Sequence, residues 1–343
     1  MKIYYFPDLK KMIPAVNYSE NQFHRKGHTM IATLTANPCI DKTLTVEKFD
    51  LYKMNRVRVL RTDFGGKGIN VSMALNNLHT ATIALGFNFP DGREILENQL
   101  DSAGIEHHFL ELPGKLRVCT KIFDRSLKHT IEINEYGAEV TPQNGEKLIA
   151  LAAETAKRCS FITLSGSLPA GLDEDFYLEC AKAVRRAAPD CRIVVDAEKK
   201  LLLRALECAP SFIKPNIHEF QDTFGCRVNS PEELDAEVRK VLDRFGLELI
   251  CVSLGADGAY IGNREQAFCC RSAHVEVRSI QGAGDSVVAG MCMALEQDLP
   301  LDEVLHYGMA AAGDSVSHEG TQLCTLEGFR EILKQDLNIK RIR

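Results

Sequence analysis

The sequence predicts an α/β protein: a mainly parallel central sheet with helices on both faces, plus a small β-sheet that projects as a lid. Three observations carry this reading. Beyond residue 140, short apolar runs alternate with helix-period segments, the pattern of parallel strands joined by helical crossovers. Before residue 140, two stretches read as hairpin-like strands, which that scheme cannot absorb and a small accessory sheet can. Two glycine-rich loops, FGGKGIN (residues 64–70) and QGAGDS (281–286), each head an apolar helix.

The elements follow in order. MIATLTANP (30–38) is a short apolar strand ending in a turn, and LTVEKF (44–49) alternates like an exposed strand. GINVSMALNNL (68–78) is a helix after a glycine turn, ATIALGFN (81–88) a strand, and GREILENQLDSAGI (92–105) a helix. RVCTKIFD (117–124) and HTIEINE (129–135), joined by RSLK, form a hairpin with one polar face. EKLIALAAETAKRC (146–159) is a helix, SFITLSGSLP (160–169) a strand, EDFYLECAKAVRRAA (174–188) a helix and RIVVDAE (192–198) a strand. LLLRALECA (201–209) is a helix, and SFIKPN (211–216) ends a strand in a polar turn. PEELDAEVRKVLDRFG (231–246) is a helix, ELICVSLG (248–255) a strand, and 258–277 a β-hairpin region. VVAGMCMAL (287–295) has the small, apolar texture of a buried helix, and segments 301–316 and 326–337 are closing helices.

This gives one domain over 30–335, with lid strands near 43–64 and 115–135 and a tail at 336–343. Residues 1–29 are expected outside the fold. They are polar, broken by Pro7 and Pro14, and lack the apolar run of a signal peptide. The net charge of −6 argues against a nucleic-acid partner, and the lack of a long apolar run argues against a membrane span. No two of the cysteines have C-x-x-C spacing, and the histidines do not fall into zinc spacing with them. Reduced thiols in a cytoplasm are the expectation.

Common nucleotide loops fail on inspection. A P-loop aligned on Gly66-Lys67 would need glycine where Arg61 stands and Ser or Thr where Gly68 stands. A dinucleotide fingerprint on Gly282 and Gly284 meets Val287 at its third glycine. Either remaining glycine loop, taken alone, is a tight strand–helix turn. Together with Arg117 and the turns IKPN and SLGADG they would converge at the carboxyl ends of the strands, where α/β sheets bind ligands.

Six segments stand in one order: TANPCIDKTL, GGKGINVSMAL, SGSLPAGL, FIKPNIHEF, SLGADGAY and GAGDSVVAG. Through them, residues 30 to about 335 resemble the ribokinase-like sugar kinases of the phosphofructokinase B family, nearest its 1-phosphofructokinases and tagatose-6-phosphate kinases. The resemblance implies that Asp285 is the general base for a sugar hydroxyl. It also implies that the N–H groups of Gly282, Ala283 and Gly284 form an anion hole for the transferring phosphoryl group, a use that suits a helix start. Asp41 would accept from sugar hydroxyls, with Gly65, Gly66, Lys67 and Asn70 opposite. Lys67, as a loop lysine, also needs no such role. Arg117 would hold the phosphate already on the substrate. Arg56 would be a second phosphate contact, reaching across from a partner subunit in some relatives, or else a solvated strand charge. Ser253, Leu254, Gly255, Ala256, Asp257 and Gly258, with Gly284, would form the ATP wall. Asn216 and Glu219 would organise Mg²⁺ through water. Residues 310–315 would shape an adenine pocket, or serve plain helix packing.

Three departures stand out: Cys119 beside the phosphate arginine where relatives often have asparagine, NEYGAE for the usual NEPGPE, and DAEKK without the usual small residues. The implied activity is ATP- and Mg²⁺-dependent conversion of fructose 1-phosphate to fructose 1,6-bisphosphate. The alternatives are a tagatose-6-phosphate kinase or a non-catalytic sugar-phosphate-binding regulator. A homodimer joined through lid strands is expected, because a two-stranded flap is marginal alone.

Overall fold

The computed structural model describes residues 30–343 apart from 128 and 198. The expected 1–29 extension, Lys128 of the RSLK turn and Glu198 of DAEKK therefore lie outside the described residues.

β1 (Met30–Thr35) sends alternate side chains to opposite faces, Ile31 into one core and Ala32 and Leu34 into the other. β2 (Cys39–Val46) and β3 (Arg58–Gly65) pair antiparallel. β2 begins before the strand expected at Leu44, because the alternation of buried side chains already runs from Cys39. α1 (Lys67–Asn77), β4 (Thr82–Asn88) and α2 (Arg93–Ser102) follow as expected. β5 (Glu106–Glu111) does not appear among the expected elements. It is the polar edge strand EHHFLE, so it lacks an apolar signature. β6 (Arg117–Asp124) and β7 (His129–Asn134) form the expected hairpin.

α3 (Pro142–Ala156), β8 (Cys159–Ser165), α4 (Phe176–Ala187), β9 (Arg192–Asp196), α5 (Lys199–Leu206) and β10 (Phe212–Ile213) keep the alternation. α6 (Ile217–Phe224) is a further, unexpected helix. α7 (Pro231–Phe245) starts behind Ser230, whose side chain accepts from the Glu233 N–H. β11 (Leu249–Ser253), β12 (Ala259–Asn263) and β13 (Ala267–Cys270) form a meander. α8 (Ala283–Glu296), α9 (Leu301–Ser315), α10 (Leu326–Ile332) and β14 (Lys340–Arg341) end the chain.

The main sheet runs β14-β13-β12-β11-β10-β9-β8-β1-β4-β5, parallel from β11 to β5 and antiparallel beyond β11. The lid is a second sheet, β3-β2-β6-β7. Helices α3 to α7 pack into the core on one face of the main sheet, and α1, α8, α9 and α10 into the core on the other. Residues 336–343 carry β14, and the Arg343 guanidinium reaches Asp235 on α7 (Nε to Oδ2 3.1 Å). No helix among the described residues is long and apolar enough to cross a membrane.

Small residues let α8 and α9 approach closely. A Cβ on Gly290 would lie 2.5 Å from the Tyr307 carbonyl oxygen and 3.0 Å from the Gly308 Cα, both backbone atoms that cannot rotate away. Gly290→Ala is therefore expected to destabilise the fold by about 1–3 kcal/mol through overpacking. Urea unfolding checks this, and an unchanged midpoint would show that the two helices separate freely.

Candidate active site

The carboxyl ends of β1, β8, β9, β10 and β11 line one edge of the main sheet. Register sets Thr35, Ser165 and Asp196 side by side at that edge. Lys214 follows β10, and Asn216 bridges to Ser253 at the end of β11. The GGKG loop folds back on the same edge. Gly66 has φ +134, and a Cβ on Gly68 would meet the Leu34 carbonyl oxygen at 2.7 Å, so glycine is required at both. Thr35 Oγ1 accepts from the Ile69 N–H at 2.9 Å, which fixes the start of α1. One residue on, Asn70 Nδ2 donates to Asp285 Oδ2 at 2.7 Å. Two expected site residues far apart in sequence thus meet directly.

Asp285 lies in the first turn of α8. Gly282, left-handed at φ 73, makes the turn and as the N-cap residue has no side chain to cap the helix. The first N–H groups of a helix have no intrahelical acceptor, so Gly282, Ala283 and Gly284 present a partially exposed, electropositive start. A Cβ on Gly284 would stand 3.2 Å from the Lys214 ammonium, which lies against that turn.

The charges here are unevenly shared. Lys67 Nζ lies 3.4 Å and Lys214 Nζ 3.7 Å from the same oxygen of the buried Asp196. Burial alone would raise the Asp196 carboxyl, but the two lysine charges outweigh it and hold it below the ordinary aspartate value. Asp285 is pushed the other way, to about 6, by burial first and by the like charge of Asp196 second. Lys67, Asn70 and Lys214 offset that only in part. Asp196 and Lys214 are absent from the residues expected from the sequence. Lys214 stood inside the quoted FIKPN segment, and Asp196 ends a buried strand, so each carried a positional signal.

The lid supplies a second polar face. Asp41, 5% exposed, pairs with Lys121 at 3.2 Å. Arg117 donates to the Asn37 carbonyl through Nε (3.2 Å) and Nη2 (3.0 Å). Asn37 Nδ2 donates to the Tyr136 and Leu168 carbonyls, both at 3.2 Å. The NEYGAE turn thereby joins the SGSLP turn, and Gly137 packs against Asn37 and Arg117. Arg56 is not on these strands. It is exposed in the β2–β3 loop, so this chain's own Arg56 does not join Asp41 and Arg117.

Ser253 to Gly258 form a turn closed by a single 3-10 turn, with Gly255, Ala256 and Asp257 exposed. Gly258 has φ +109, and a Cβ there would lie 1.9 Å from the Cys270 carbonyl oxygen. Asn216 and Glu219 form a capping box: Asn216 Oδ1 accepts from the Glu219 N–H at 2.9 Å, and Glu219 Oε2 accepts from the Asn216 N–H at 2.8 Å. Both residues thus have a local role in starting α6. A hard cation fits this edge on other grounds. Asp196 Oδ2 and Ser165 Oγ, on paired residues, are buried with no hydrogen-bond partner among the described residues. Such oxygens suit magnesium, with Asn216 and Glu219 nearby along the same edge.

The pfkB family carbohydrate kinase profile matches residues 34–327. A 1-phosphofructokinase of Borreliella burgdorferi is 33% identical over 89% of this chain and 97% of its own length. A tagatose-6-phosphate kinase of Staphylococcus epidermidis is 29% identical over 89% of this chain and 98% of its own. The crystal structure of Escherichia coli phosphofructokinase-2 with fructose-6-phosphate shares the fold, with TM-score 0.81 and 22% identity over 89% of this chain and 98% of that one. The family match and these relatives define a carbohydrate kinase. The chain belongs to the pfkB family.

Because Asp285 is held above its ordinary value, its ionised form costs stability, increasingly from about pH 4 and fully above about pH 6. Asp285→Asn is expected to stabilise the protein by roughly 1–3 kcal/mol at pH 7.5, a gain that vanishes near pH 4. Chemical denaturation at the two pH values checks the sign. A loss of stability at pH 7.5 would contradict the assigned burial cost.

Proposed function

We propose that the protein transfers the γ-phosphoryl group of ATP to fructose 1-phosphate at its 6-hydroxyl, giving fructose 1,6-bisphosphate and ADP. The observation that carries this reading is a buried carboxylate with a raised pKa in the first turn of a helix whose N-cap is glycine, Asp285 on α8. Asp285 takes the hydroxyl proton as the sugar oxygen attacks the γ-phosphorus. A base titrating near 6 is ionised at neutral pH and still able to hold a proton. The N–H groups at Gly282, Ala283 and Gly284, with the Lys214 ammonium beside them, face the charge on the migrating phosphoryl group, so little covalent chemistry is asked of the protein. Asn70 orients the base, and Lys214 with Lys67 keeps Asp196 ionised. When bound, magnesium neutralises phosphate charge; Asp196, Asn216 and Glu219 are the residues that would hold it, in part through water.

On the sugar side, Asp41 accepts from substrate hydroxyls, and Arg117 and Lys121 offer two cations for the phosphate already present. A guanidinium fork matches phosphate geometry. Fructose 1-phosphate is favoured because a relative named 1-phosphofructokinase has the higher identity of the two reported. Tagatose 6-phosphate is the second reading, supported by the relative of that name. The proposed assembly is a homodimer through the lids. Leu51, Tyr52 and Met54 are 80% or more exposed on the β2–β3 loop that also carries Arg56, an apolar tip that a second lid would cover. The cytoplasm is the proposed location.

A coupled ADP assay with fructose 1-phosphate, tagatose 6-phosphate and fructose 6-phosphate in parallel tests the substrate. The highest kcat/KM is expected for fructose 1-phosphate, and turnover of none of the three would refute the kinase reading. In the same assay, Arg117→Ala should raise the sugar-phosphate KM by about tenfold or more, as loss of a charge-assisted pair implies, with little change in the ATP KM. Equal effects on the two would count against the phosphate role of Arg117.

A further inference from the structure

Three potential metal ligands meet on the lid: Cys39 and Asp41 on β2 and Cys119 on β6, whose Sγ and carboxylate oxygen atoms all lie within 4.8 Å of one another. All three side chains are buried, at 4–5% exposure. We propose that Cys39, Cys119 and Asp41 form a binding site for a soft divalent cation of the zinc class, placed so that its occupation blocks the sugar side of the cleft. The binding stands independently of the kinase reading; the inhibition rests on it.

Strand register decides between a metal site and a disulfide. Cys39 pairs with Arg117, and Cys119 pairs with Asp41, so the two cysteines are offset by two residues on neighbouring parallel strands. With strands about 4.8 Å apart and a rise of about 3.3 Å per residue, the Cα atoms stand roughly 8 Å apart. A disulfide cannot span more than about 7 Å without moving backbone. A zinc ion can, since two Zn–S bonds of about 2.3 Å at a tetrahedral angle hold sulfurs about 3.8 Å apart. Asp41 offers a third ligand atom within the same 4.8 Å.

Charge and softness point the same way. Asp41 is already neutralised by Lys121 at 3.2 Å, so two thiolates and a divalent ion add no net charge to the buried cluster. Arg117, paired in register with Cys39, and Lys121, beside Asp41, place positive charge around the thiols. Thiolates select zinc or cadmium over magnesium, which keeps this site distinct from the hard cation at the sheet edge.

The test titrates the reduced full-length protein with Co²⁺ as a spectroscopic stand-in. One equivalent should give a thiolate-to-cobalt charge-transfer band that Zn²⁺ abolishes. Cys39→Ala and Cys119→Ser should each weaken binding by more than about tenfold, since even outer-shell losses cost that much, while Cys269→Ala keeps the band. Peptide mapping of the unaltered protein adds a readout that needs no variant: Zn²⁺ should slow alkylation of Cys39 and Cys119 together. With Zn²⁺ bound, the apparent sugar-phosphate KM should rise more than the ATP KM. Lack of a band, a band that survives both variants, or a Cys39–Cys119 disulfide forming readily under mild oxidation would each overturn the proposal. Zn²⁺ binding at the two thiols without a change in sugar KM would leave the metal site standing and remove its inhibitory role.

Discussion

Two buried carboxylates, Asp196 and Asp285, lie beside two lysines, and the way those lysines divide between them governs the site. Lys67 and Lys214 both lie against Asp196, and Asp285 receives a neutral hydrogen bond from Asn70 instead. Neighbouring acids in opposed environments separate into one that stays ionised and one that can exchange a proton near neutrality. Were the lysines moved to Asp285, it would be a poor base and Asp196 would tend to take up a proton. The asymmetry is a property of placement rather than of residue type.

That placement comes from three parts of the fold acting together. The parallel register of β1, β8 and β9 lines up Thr35, Ser165 and Asp196 at one edge. Thr35 then anchors the first turn of α1, which aims Asn70. On the other side, the small residues of α8 let it sit closely on α9, and Ser286 and Ser315 join the two helices by a buried hydroxyl pair at 2.6 Å. The start of α8 is thereby held rigidly under the cleft, where its orientation costs little at the moment of reaction. The lid is tied to this edge through the contact of Arg117 and the Tyr136–Gly137 turn with Asn37.

Much of this was legible in the chain. The glycine loops mark close backbone approaches, and the structure meets them with contacts that a side chain would not fit, at Gly68, Gly258 and Gly290. Strand–helix alternation gave the main sheet, because buried parallel strands are written as apolar runs. What stayed hidden has physical reasons. β5 is an edge strand whose polar residues erase the apolar signal. β2 starts inside a segment that resembled a turn because Pro38 precedes it. The N-x-x-E spacing at Asn216 also fits a helix start, and the capping box it forms gives those two residues a local role besides any cation. Pairings across long separations, such as Lys67 with Asp196, leave no trace in local pattern at all. The cysteines of the lid belong to this group, since only strand register shows that they meet.

If Asp285 is the base and the neighbouring helix-start amides with Lys214 hold the phosphoryl group, removing the carboxylate charge should slow transfer and spare nucleotide binding. Single-turnover phosphoryl transfer by Asp285→Asn, with ATP affinity measured on the same protein, tests this most directly. The expected result is a rate lower by about 10²–10⁴-fold with ATP binding largely intact. A near-normal rate, or a loss of ATP affinity that explains the whole defect, would contradict it.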